Sequence, residues 1–407
     1  MIVEWEETTD LGPTLPNGFR SAGVRCGLKT EGNDLALIVA DRLSAAAGVY
    51  TTNQVRASCV DWSRAVTSAG WARAIVCNAG NANACNGASG AQDTETMASI
   101  AAEELGIDVR QALVASTGVI GHRLPVDKLR IGIPAAVTAL GAGPESDMAA
   151  ARAIITTDLR PKMLGIRYRS DASPEGVSIG GICKGSGMIA PNMATMLCFL
   201  TTDADIAPRD LQHALATAVA QTFNRMTVDG DTSTNDMTLI LASGVDANPL
   251  RPDRAPYTDF VEALTRVCRY LAREVARDGE GATKLVDVHV RGANTEAEAE
   301  TVARTIAQSP LVKTALFGSD PNWGRILAAA GRAGVPMDPS RVRVLLGDLP
   351  VCEAGSSIPF DRDAAHAYLK GSEVTITVDL GSGSAEAVVW TCDFSYDYVR
   401  INAEYHT

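Results

Sequence analysis

One stretch of the chain, residues 180–200, joins a glycine-rich polar loop to a run of bulky apolar residues. It reads GGICKGSGMIAPNMATMLCFL. Its last five residues, 196–200, are apolar, and such a run predicts a buried strand. Ala194-Thr195 stands directly before this strand, where the Thr195 hydroxyl could attack the preceding carbonyl and break the peptide. The freed α-amine of Thr195, which titrates near pH ~8, would then act as the base for its own hydroxyl.

Two plainer interpretations of this stretch remain open from the residues alone. Ala-Thr pairs are common at strand starts, and most of them are only structural. The glycines around Ser186 could form an ordinary loop or bind phosphate. A phosphate loop of the G-x-x-x-x-G-K-[ST] type places its lysine after the glycines, however, whereas Lys184 precedes them here.

The composition narrows the class of protein. A chain of 407 residues, 46% hydrophobic and 21% charged, is long enough for two or three domains and ordinary for a globular protein. Its net charge of −12 argues against nucleic acid or an anionic membrane as a partner. There is no apolar run of transmembrane length and no signal or transit pattern. Nine cysteines without a CxxC pair predict free thiols. We therefore expect a cytoplasmic protein without a membrane span.

No His/Cys group has the spacing of metal ligands, so we expect no metal site. The carboxylates of the DGDTSTND run at 229–236 also lack the spacing of a calcium-binding EF-hand loop. We interpret that run as support around a site.

Three polar positions follow predicted strands or helices, and at the first of them the residues themselves allow a catalytic role. Thr117-Gly118 follows a short strand, where a hydroxyl and a backbone N–H can point at one spot, as an oxyanion hole requires. Thr156 follows a predicted helix, and Glu280 lies between two glycines after an amphipathic helix over 258–277. Each of them also has a plain interpretation as a turn or helix-end residue.

Two further expectations concern the fold. A helix is predicted over 93–105, with Asp93 as its N-cap. From about residue 285 the pattern changes to short strands and helices, typical of a separate α+β domain. We therefore predict a main domain over 1–284 and a C-terminal α+β domain over 285–407.

Several of these motifs occur together in a known family. The stretch KGSGMIAPNMATML resembles the processing site of the ArgJ family, the ornithine acetyltransferases or glutamate N-acetyltransferases. Similar motifs follow the family's order along nearly the whole chain: NAGNANACNG, STGVIG, TTD, TVDGDTSTND, DGEGATK, DPNWGR and YVRINAEYHT. The first of these has Ala79 and Asn86 where the family has Ser and Thr.

The resemblance implies a catalytic apparatus. The chain would be cleaved between Ala194 and Thr195, and Thr195 would be the nucleophile. Thr117 and Gly118 would form the oxyanion hole.

The resemblance also implies contacts with the substrate from Thr156, Glu280, Asn402 and Thr407. Glu280 would pair with the amine end of the substrate. Lys184 joins this set because its positive charge could hold the substrate's α-carboxylate.

The implied fold is α+β, a layered αββα-like arrangement with a smaller C-terminal domain. The mature protein would pair an α chain, 1–194, with a β chain, 195–407, as α2β2 or a larger assembly. It would transfer the acetyl group of N2-acetyl-L-ornithine to L-glutamate by a ping-pong mechanism in arginine biosynthesis. No cofactor is needed because the donor is an amide, although some members also accept acetyl-CoA.

Two alternatives remain. One is a hydrolase of the related self-processing aminopeptidase group, in which water replaces glutamate. The other is an unprocessed amino-acid-binding protein. The intact ATML motif argues against the binding protein, and the C-terminal motif argues against the hydrolase.

Overall fold

The chain is described by a computed structural model that covers residues 4–170, 173–190 and 196–404, without the side chains of 173–175 and 246–248. Within these residues fifteen strands form two sheets. The strands of the larger sheet are β1 (Glu4–Thr8), β2 (Phe19–Val24), β3 (Leu35–Tyr50), β4 (Trp71–Asn81), β5 (Ala112–Val119), β6 (Lys162–Ser170), β7 (Ser173–Lys184), β8 (Leu197–Ile206) and β9 (Met237–Leu250). Those of the smaller sheet are β10 (Leu285–Ala293), β11 (Arg343–Leu346), β12 (Leu349–Glu353), β13 (Ser356–Ser357), β14 (Glu373–Asp379) and β15 (Ala385–Cys392).

Eleven α-helices connect and cover these strands in the described part of the chain. They are α1 (Ser58–Ser68), α2 (Gly87–Leu105), α3 (Val126–Thr138), α4 (Pro144–Ile154), α5 (Pro208–Gln221), α6 (Ala255–Arg277), α7 (Glu296–Ala307), α8 (Pro310–Phe317), α9 (Trp323–Gly331), α10 (Arg362–Leu369) and α11 (Tyr396–Glu404). Short 3₁₀ turns lie at Val109–Gln111, Phe223–Arg225 and Pro339–Arg341. No helix among the described residues is both long and apolar enough to cross a membrane.

The larger sheet has the strand order β1-β6-β7-β8-β9-β3-β4-β5, with β2 also paired to β3. Strand β3 is long, and its register with β4 shifts between Val39 and Ser44. Its second half pairs with β9. The sheet curves enough that Thr117 at the end of β5 is hydrogen-bonded to Lys184 at the end of β7, although four strands lie between β5 and β7 in the sheet order. The curvature therefore brings both halves of the sheet to one site.

Helices cover the sheet on two sides, so that β8 is buried on both faces. Leu197 and Phe199 pack in a core that includes side chains of α1 to α4, whereas Cys198 and Leu200 pack in a second core with α5 and α6. Successive side chains of a strand point to opposite faces. Because both faces of β8 are buried, these four side chains are all apolar. The predicted buried strand and the layered α+β architecture are confirmed.

The smaller sheet, in the order β13-β12-β11-β14-β10-β15, forms a third core with α7 to α10. Trp390 and Cys392 of β15 instead pack in the core that contains α6, so this helix joins the two sheets. The change of pattern expected near residue 285 coincides with the start of β10. The division into two domains at that point remains a prediction.

The prediction that Asp93 begins a helix is wrong. Helix α2 starts six residues earlier, after Asn86, and Asp93 lies inside it, where it is buried. The helix can begin before Asp93 because the residues directly ahead of it are mostly small and include no proline. Arg123 donates two hydrogen bonds of 3.2 Å to the Asp93 carboxylate, which therefore anchors the loop after β5 instead of the helix start.

Candidate active site

The structure brings six of the predicted site residues to one pocket where the curved sheet meets α11. They are Thr117, Gly118, Thr156, Lys184, Glu280 and Asn402. The other three predicted site residues, Ala194, Thr195 and Thr407, lie outside the described residues, so their predicted roles remain predictions.

Thr117 and Gly118 lie near the end of β5, beside the end of β4. Gly118 has a φ of 130° and sits against Gly80, so that a Cβ at position 118 would come within 2.3 Å of the Gly80 carbonyl carbon. Only glycine accepts both this backbone conformation and this approach. The end of β4 thus supports the Thr117-Gly118 backbone from behind.

Lys184 is buried at the end of β7 and contacts two hydroxyl groups. Its Nζ donates to Thr156 Oγ1 at 3.0 Å and to Thr117 Oγ1 at 3.3 Å. An ammonium group has three N–H donors. Two of them are used in these contacts, and the third has no partner among the described residues, so it could bind a carboxylate in the pocket. Because Thr117 Oγ1 accepts from the lysine, its own hydroxyl proton is free to point elsewhere.

A buried ion cluster lies behind Lys184. Lys162 Nζ contacts Asp158 Oδ1 and Asp278 Oδ2, each at 2.6 Å. Burial by itself would raise the pKa of Asp158, but the charges of Lys162 and Lys184 outweigh it and lower this pKa to about 2. Burial raises the pKa of Asp278, opposed by Lys162.

This ion cluster connects the pocket segments to one another. Asp158 accepts hydrogen bonds from the backbone N–H of Thr156 and of Gly185, at 3.1 and 2.7 Å. The backbone oxygen of Asp278 accepts from the Ser186 hydroxyl at 2.6 Å, and the Ser186 oxygen accepts from the Glu280 N–H at 3.0 Å. Thr156, Lys184 and Glu280 therefore share one rigid support.

Glu280 supplies a carboxylate to the pocket and contacts the C-terminal helix. Its Oε2 accepts a hydrogen bond of 2.9 Å from Asn402 Nδ2 on α11. Gly187 leaves room for this carboxylate, since a Cβ there would lie 2.3 Å from Glu280 Cδ. Tyr398, which also lines the pocket from α11, stacks on Phe394 with the ring centres 4.5 Å apart.

The residues before the predicted cleavage site are held by the turn that precedes β9. The Asp229 carboxylate accepts from the N–H groups of Met188 and Ile189, at 2.7 and 2.8 Å. The Thr232 hydroxyl donates to the oxygen of Ala190 at 3.1 Å. On the other side of the predicted cleavage site, Met237 N–H donates to the oxygen of Met196 at 3.1 Å. Both flanks of 191–195 are thus anchored.

The sequence did not identify several pocket residues individually. Asp229, Asp231, Ser233, Thr234 and Asn235 line the pocket, and they all belong to the DGDTSTND run that was interpreted as supporting structure. The only feature of the sequence that pointed to these pocket residues was the high proportion of short polar side chains in that run. Asn235 is also structural, because its Nδ2 donates to the oxygens of Ala82 and Ser116 at 2.7 and 2.8 Å and joins the ends of β4 and β5.

The pocket therefore offers a buried cation, a carboxylate and a hydroxyl beside a glycine N–H. No group of His, Cys, Asp or Glu among the described residues could hold a metal ion. Such an arrangement can bind a small molecule that carries a negative and a positive charge, and it can stabilise an oxyanion.

Comparison with known proteins gives a consistent assignment. A model described as the ArgJ family matches residues 20–407. The arginine biosynthesis bifunctional protein ArgJ of a Synechococcus strain is 51% identical over 419 aligned residues, covering 100% of both chains. The arginine biosynthesis bifunctional protein ArgJ 1 of a Nostoc strain is 50% identical over 418 residues, again covering 100% of both. A crystal structure of the arginine biosynthesis bifunctional protein ArgJ from Bacillus halodurans matches with a TM-score of 0.50 and 46% identity, and covers 51% of this chain and 98% of that chain.

Proposed function

This chain belongs to the ArgJ family of acyltransferases, and we propose that it transfers the acetyl group of N2-acetyl-L-ornithine to L-glutamate in arginine biosynthesis. The observation that carries the proposal is the presence of Lys184 and Glu280 in one pocket. Acetylornithine has an α-carboxylate and a side-chain ammonium group. Lys184 binds the carboxylate and Glu280 binds the ammonium group, so the acetylated nitrogen lies between them.

The reaction proceeds in two acyl-transfer steps. The Thr195 hydroxyl attacks the acetyl carbonyl, and the α-amine of Thr195 accepts the proton. The Thr117 hydroxyl and the Gly118 N–H stabilise the oxyanion, after which ornithine leaves with a proton returned by the same amine. L-Glutamate then attacks the acetyl-Thr195 ester and leaves as N-acetylglutamate. Thr156, Asn402 and Thr407 complete the substrate contacts.

The nucleophile of this scheme requires cleavage between Ala194 and Thr195. Two observations support the cleavage. Residues 188–190 and Met196 are anchored on either side of the bond, which favours reaction within the chain. The solved Bacillus halodurans chain spans only 51% of this chain while 98% of it is matched, as expected for one product of a cut near the middle. The products 1–194 and 195–407 remain together as α2β2 or a larger assembly.

The scheme uses no cofactor, because the acetyl donor is an amide. Acetyl-CoA is a second donor to be tested, since the relatives are named bifunctional. All nine cysteines are free thiols in the structure, in agreement with the proposed location in the cytoplasm.

Mass spectrometry and N-terminal sequencing test the cleavage. The purified protein should give two fragments, the second beginning Thr-Met-Leu-Cys, and Thr195→Ala should remain a single chain without transfer activity. Active protein with Met1 as its only N-terminus would refute the mechanism.

The substrate assignment is tested with labelled acetylornithine, with and without glutamate. Label in N-acetylglutamate supports the transferase. Release of free acetate at the same rate regardless of glutamate would instead identify a hydrolase. Acetyl-CoA plus glutamate, assayed separately, decides whether the thioester is also a donor.

A further inference from the structure

The two substrates of the proposed reaction carry opposite charges at the ends of their side chains. Acetylornithine ends in an ammonium group, whereas L-glutamate ends in a second carboxylate. Among the described residues that line the pocket, Lys184 is the only one with a cationic side chain. With Lys184 on the α-carboxylate, as proposed for acetylornithine, the side chain of glutamate extends toward Glu280. The pocket must therefore hold one carboxylate close to another.

The charges at the Glu280 end of the pocket are all negative among the described residues. Asp229, Asp231 and Glu280 line the pocket together with Tyr398 of α11. Burial raises the pKa of the Tyr398 hydroxyl, and the charges of these three carboxylates raise it further, so all three lie near this hydroxyl. A substrate carboxylate at this end meets like charges and needs a neutral hydrogen-bond donor.

Several neutral side chains of the pocket have already used their donors. The Asn402 amide donates one hydrogen bond to Glu280 and the other to a backbone oxygen, at 2.9 and 3.0 Å. The Thr234 hydroxyl donates to the neighbouring amide side chain at 2.5 Å. The Ser233 hydroxyl is hydrogen-bonded to the buried carboxylate of Asp236 and lowers its pKa. These groups are therefore poorly suited to bind a second carboxylate.

The hydroxyl of Tyr398 differs from these donors. No hydrogen bond from a described residue contributes to its pKa, and the raised pKa keeps it protonated at neutral pH. It is therefore a neutral O–H donor, and its oxygen can also accept. Thr157, another hydroxyl of the pocket, instead follows Thr156, which contacts Lys184 at the opposite end.

The structure holds the Tyr398 ring beside Glu280. The ring stacks on Phe394 with the centres 4.5 Å apart and 16° between the planes. Gly281 allows helix α11 to come close, because a Cβ there would lie 2.4 Å from the backbone nitrogen of Tyr398. The Ser395 hydroxyl donates to the Gly281 oxygen at 2.5 Å. The start of α11 is thereby docked on the residue that follows Glu280.

We propose that the Tyr398 hydroxyl selects the acetyl acceptor by donating a hydrogen bond to the side-chain carboxylate of L-glutamate. The inference rests on the transferase function proposed above and adds the residue that is specific for the acceptor. Acetylornithine does not depend on this hydroxyl, because its ammonium group binds the Glu280 carboxylate. Once ornithine has left, the hydroxyl proton turns toward the incoming carboxylate. One pocket thus accepts two side chains of opposite charge.

Steady-state kinetics of the wild type, Tyr398→Phe and Tyr396→Phe test this proposal. In a ping-pong reaction, kcat/KM for acetylornithine reports the first transfer and kcat/KM for glutamate reports the second. Phenylalanine at position 398 keeps the ring and removes only the hydroxyl. For this variant kcat/KM for glutamate should fall at least about tenfold, as for loss of a hydrogen bond to a charged group, while kcat/KM for acetylornithine changes less than about twofold. Tyr396 is 84% exposed on the same helix, so Tyr396→Phe should behave like the wild type.

The outcomes separate this inference from the proposed function. If Tyr398→Phe keeps the wild-type kcat/KM for glutamate, the inference is wrong and the proposed transferase stands. An equal fall for both substrates would also overturn the inference, because it would indicate a changed pocket shape. A wild type that does not transfer acetyl groups from acetylornithine to glutamate would instead refute the proposed function.

An acceptor analogue tests whether the hydroxyl recognises the carboxylate itself. L-Norvaline carries a methyl group where glutamate has its side-chain carboxylate. As a competitor of glutamate it should have the same inhibition constant with the wild type and with Tyr398→Phe. An inhibition constant that rises as much as KM for glutamate would overturn the inference, because norvaline has no side-chain carboxylate to lose a hydrogen bond.

Discussion

The side-chain amide of Asn402 donates a hydrogen bond of 2.9 Å to Oε2 of Glu280, across 122 residues of sequence. The same amide donates to the oxygen of Tyr398 at 3.0 Å. Asn402 therefore orients the Glu280 carboxylate from helix α11, and the last described helix is part of the pocket.

Asn402→Ala should weaken the binding of acetylornithine without preventing cleavage of the chain. A hydrogen bond to a charged group contributes about 1.5–3 kcal/mol, so kcat/KM for acetylornithine should fall at least about tenfold. Val399→Ala is the matched control, because Val399 is exposed on the same helix. If Asn402→Ala retains full kcat/KM, the hydrogen bond to Glu280 has no role in substrate binding.

Gly187→Ala should displace the Glu280 side chain with little change in stability. The added Cβ would meet the end of the Glu280 side chain at 2.3 to 2.4 Å, and a flexible side chain can move away at low cost. We expect a rise in KM for acetylornithine, comparable to that of Glu280→Gln, and an unchanged Tm. Gly331→Ala is the control, since a Cβ there meets no atom within 4 Å. A large loss of Tm in Gly187→Ala, with normal KM, would contradict this explanation.

Thr117→Ala should reduce kcat by roughly 10²–10³, the range for the loss of one oxyanion-hole donor. Lys184 donates to Thr117 Oγ1, so the hydroxyl proton is available for the oxyanion. Thr117→Ser retains the hydroxyl and should keep most of the activity. Equal kcat values for the alanine variant and the wild type would show that Thr117 is only a turn residue.

The buried ion cluster should make stability depend on pH through Asp158. Its folded-state pKa of about 2 is below the value of about 3.9 for an unfolded chain. A lowered carboxyl pKa stabilises the folded state above pH ~4, and this contribution is lost as the pH falls from ~4 to ~2. For Asp158 alone the effect is about 2–3 kcal/mol.

Urea unfolding of Asp158→Asn and the wild type at several pH values measures this contribution. The free energy of unfolding should differ most at neutral pH, and the difference should shrink toward pH 2. Burial raises the pKa of Asp278 and the charge of Asp158 raises it further, so Asp158→Asn also changes Asp278 and the comparison reports on both carboxylates. A difference that stays constant with pH would show that the pKa of Asp158 is not lowered.

Local patterns in the sequence are sufficient to predict the structure around the centre of the chain. Five apolar residues over 196–200 predict a strand with both faces buried, and β8 is such a strand, because its alternate side chains pack in two cores. The family motifs predict Thr117, Gly118, Thr156, Glu280 and Asn402 as site residues, and the structure brings these five to one pocket. The start of α2 was misjudged because Asp93 has the character of an N-cap but is used by Arg123, a partner 30 residues away.

The contacts between distant residues of the pocket cannot be predicted from these local patterns. The contact between Lys184 and Thr117 joins residues 67 positions apart, and it depends on the curvature of the larger sheet. The support of Thr156, Lys184 and Glu280 by one ion cluster also depends on how distant segments pack. Local patterns report the preferences of neighbouring residues, whereas these contacts arise from the packing of whole strands and helices. For this reason the sequence could name residues of the pocket but could not show how they are held.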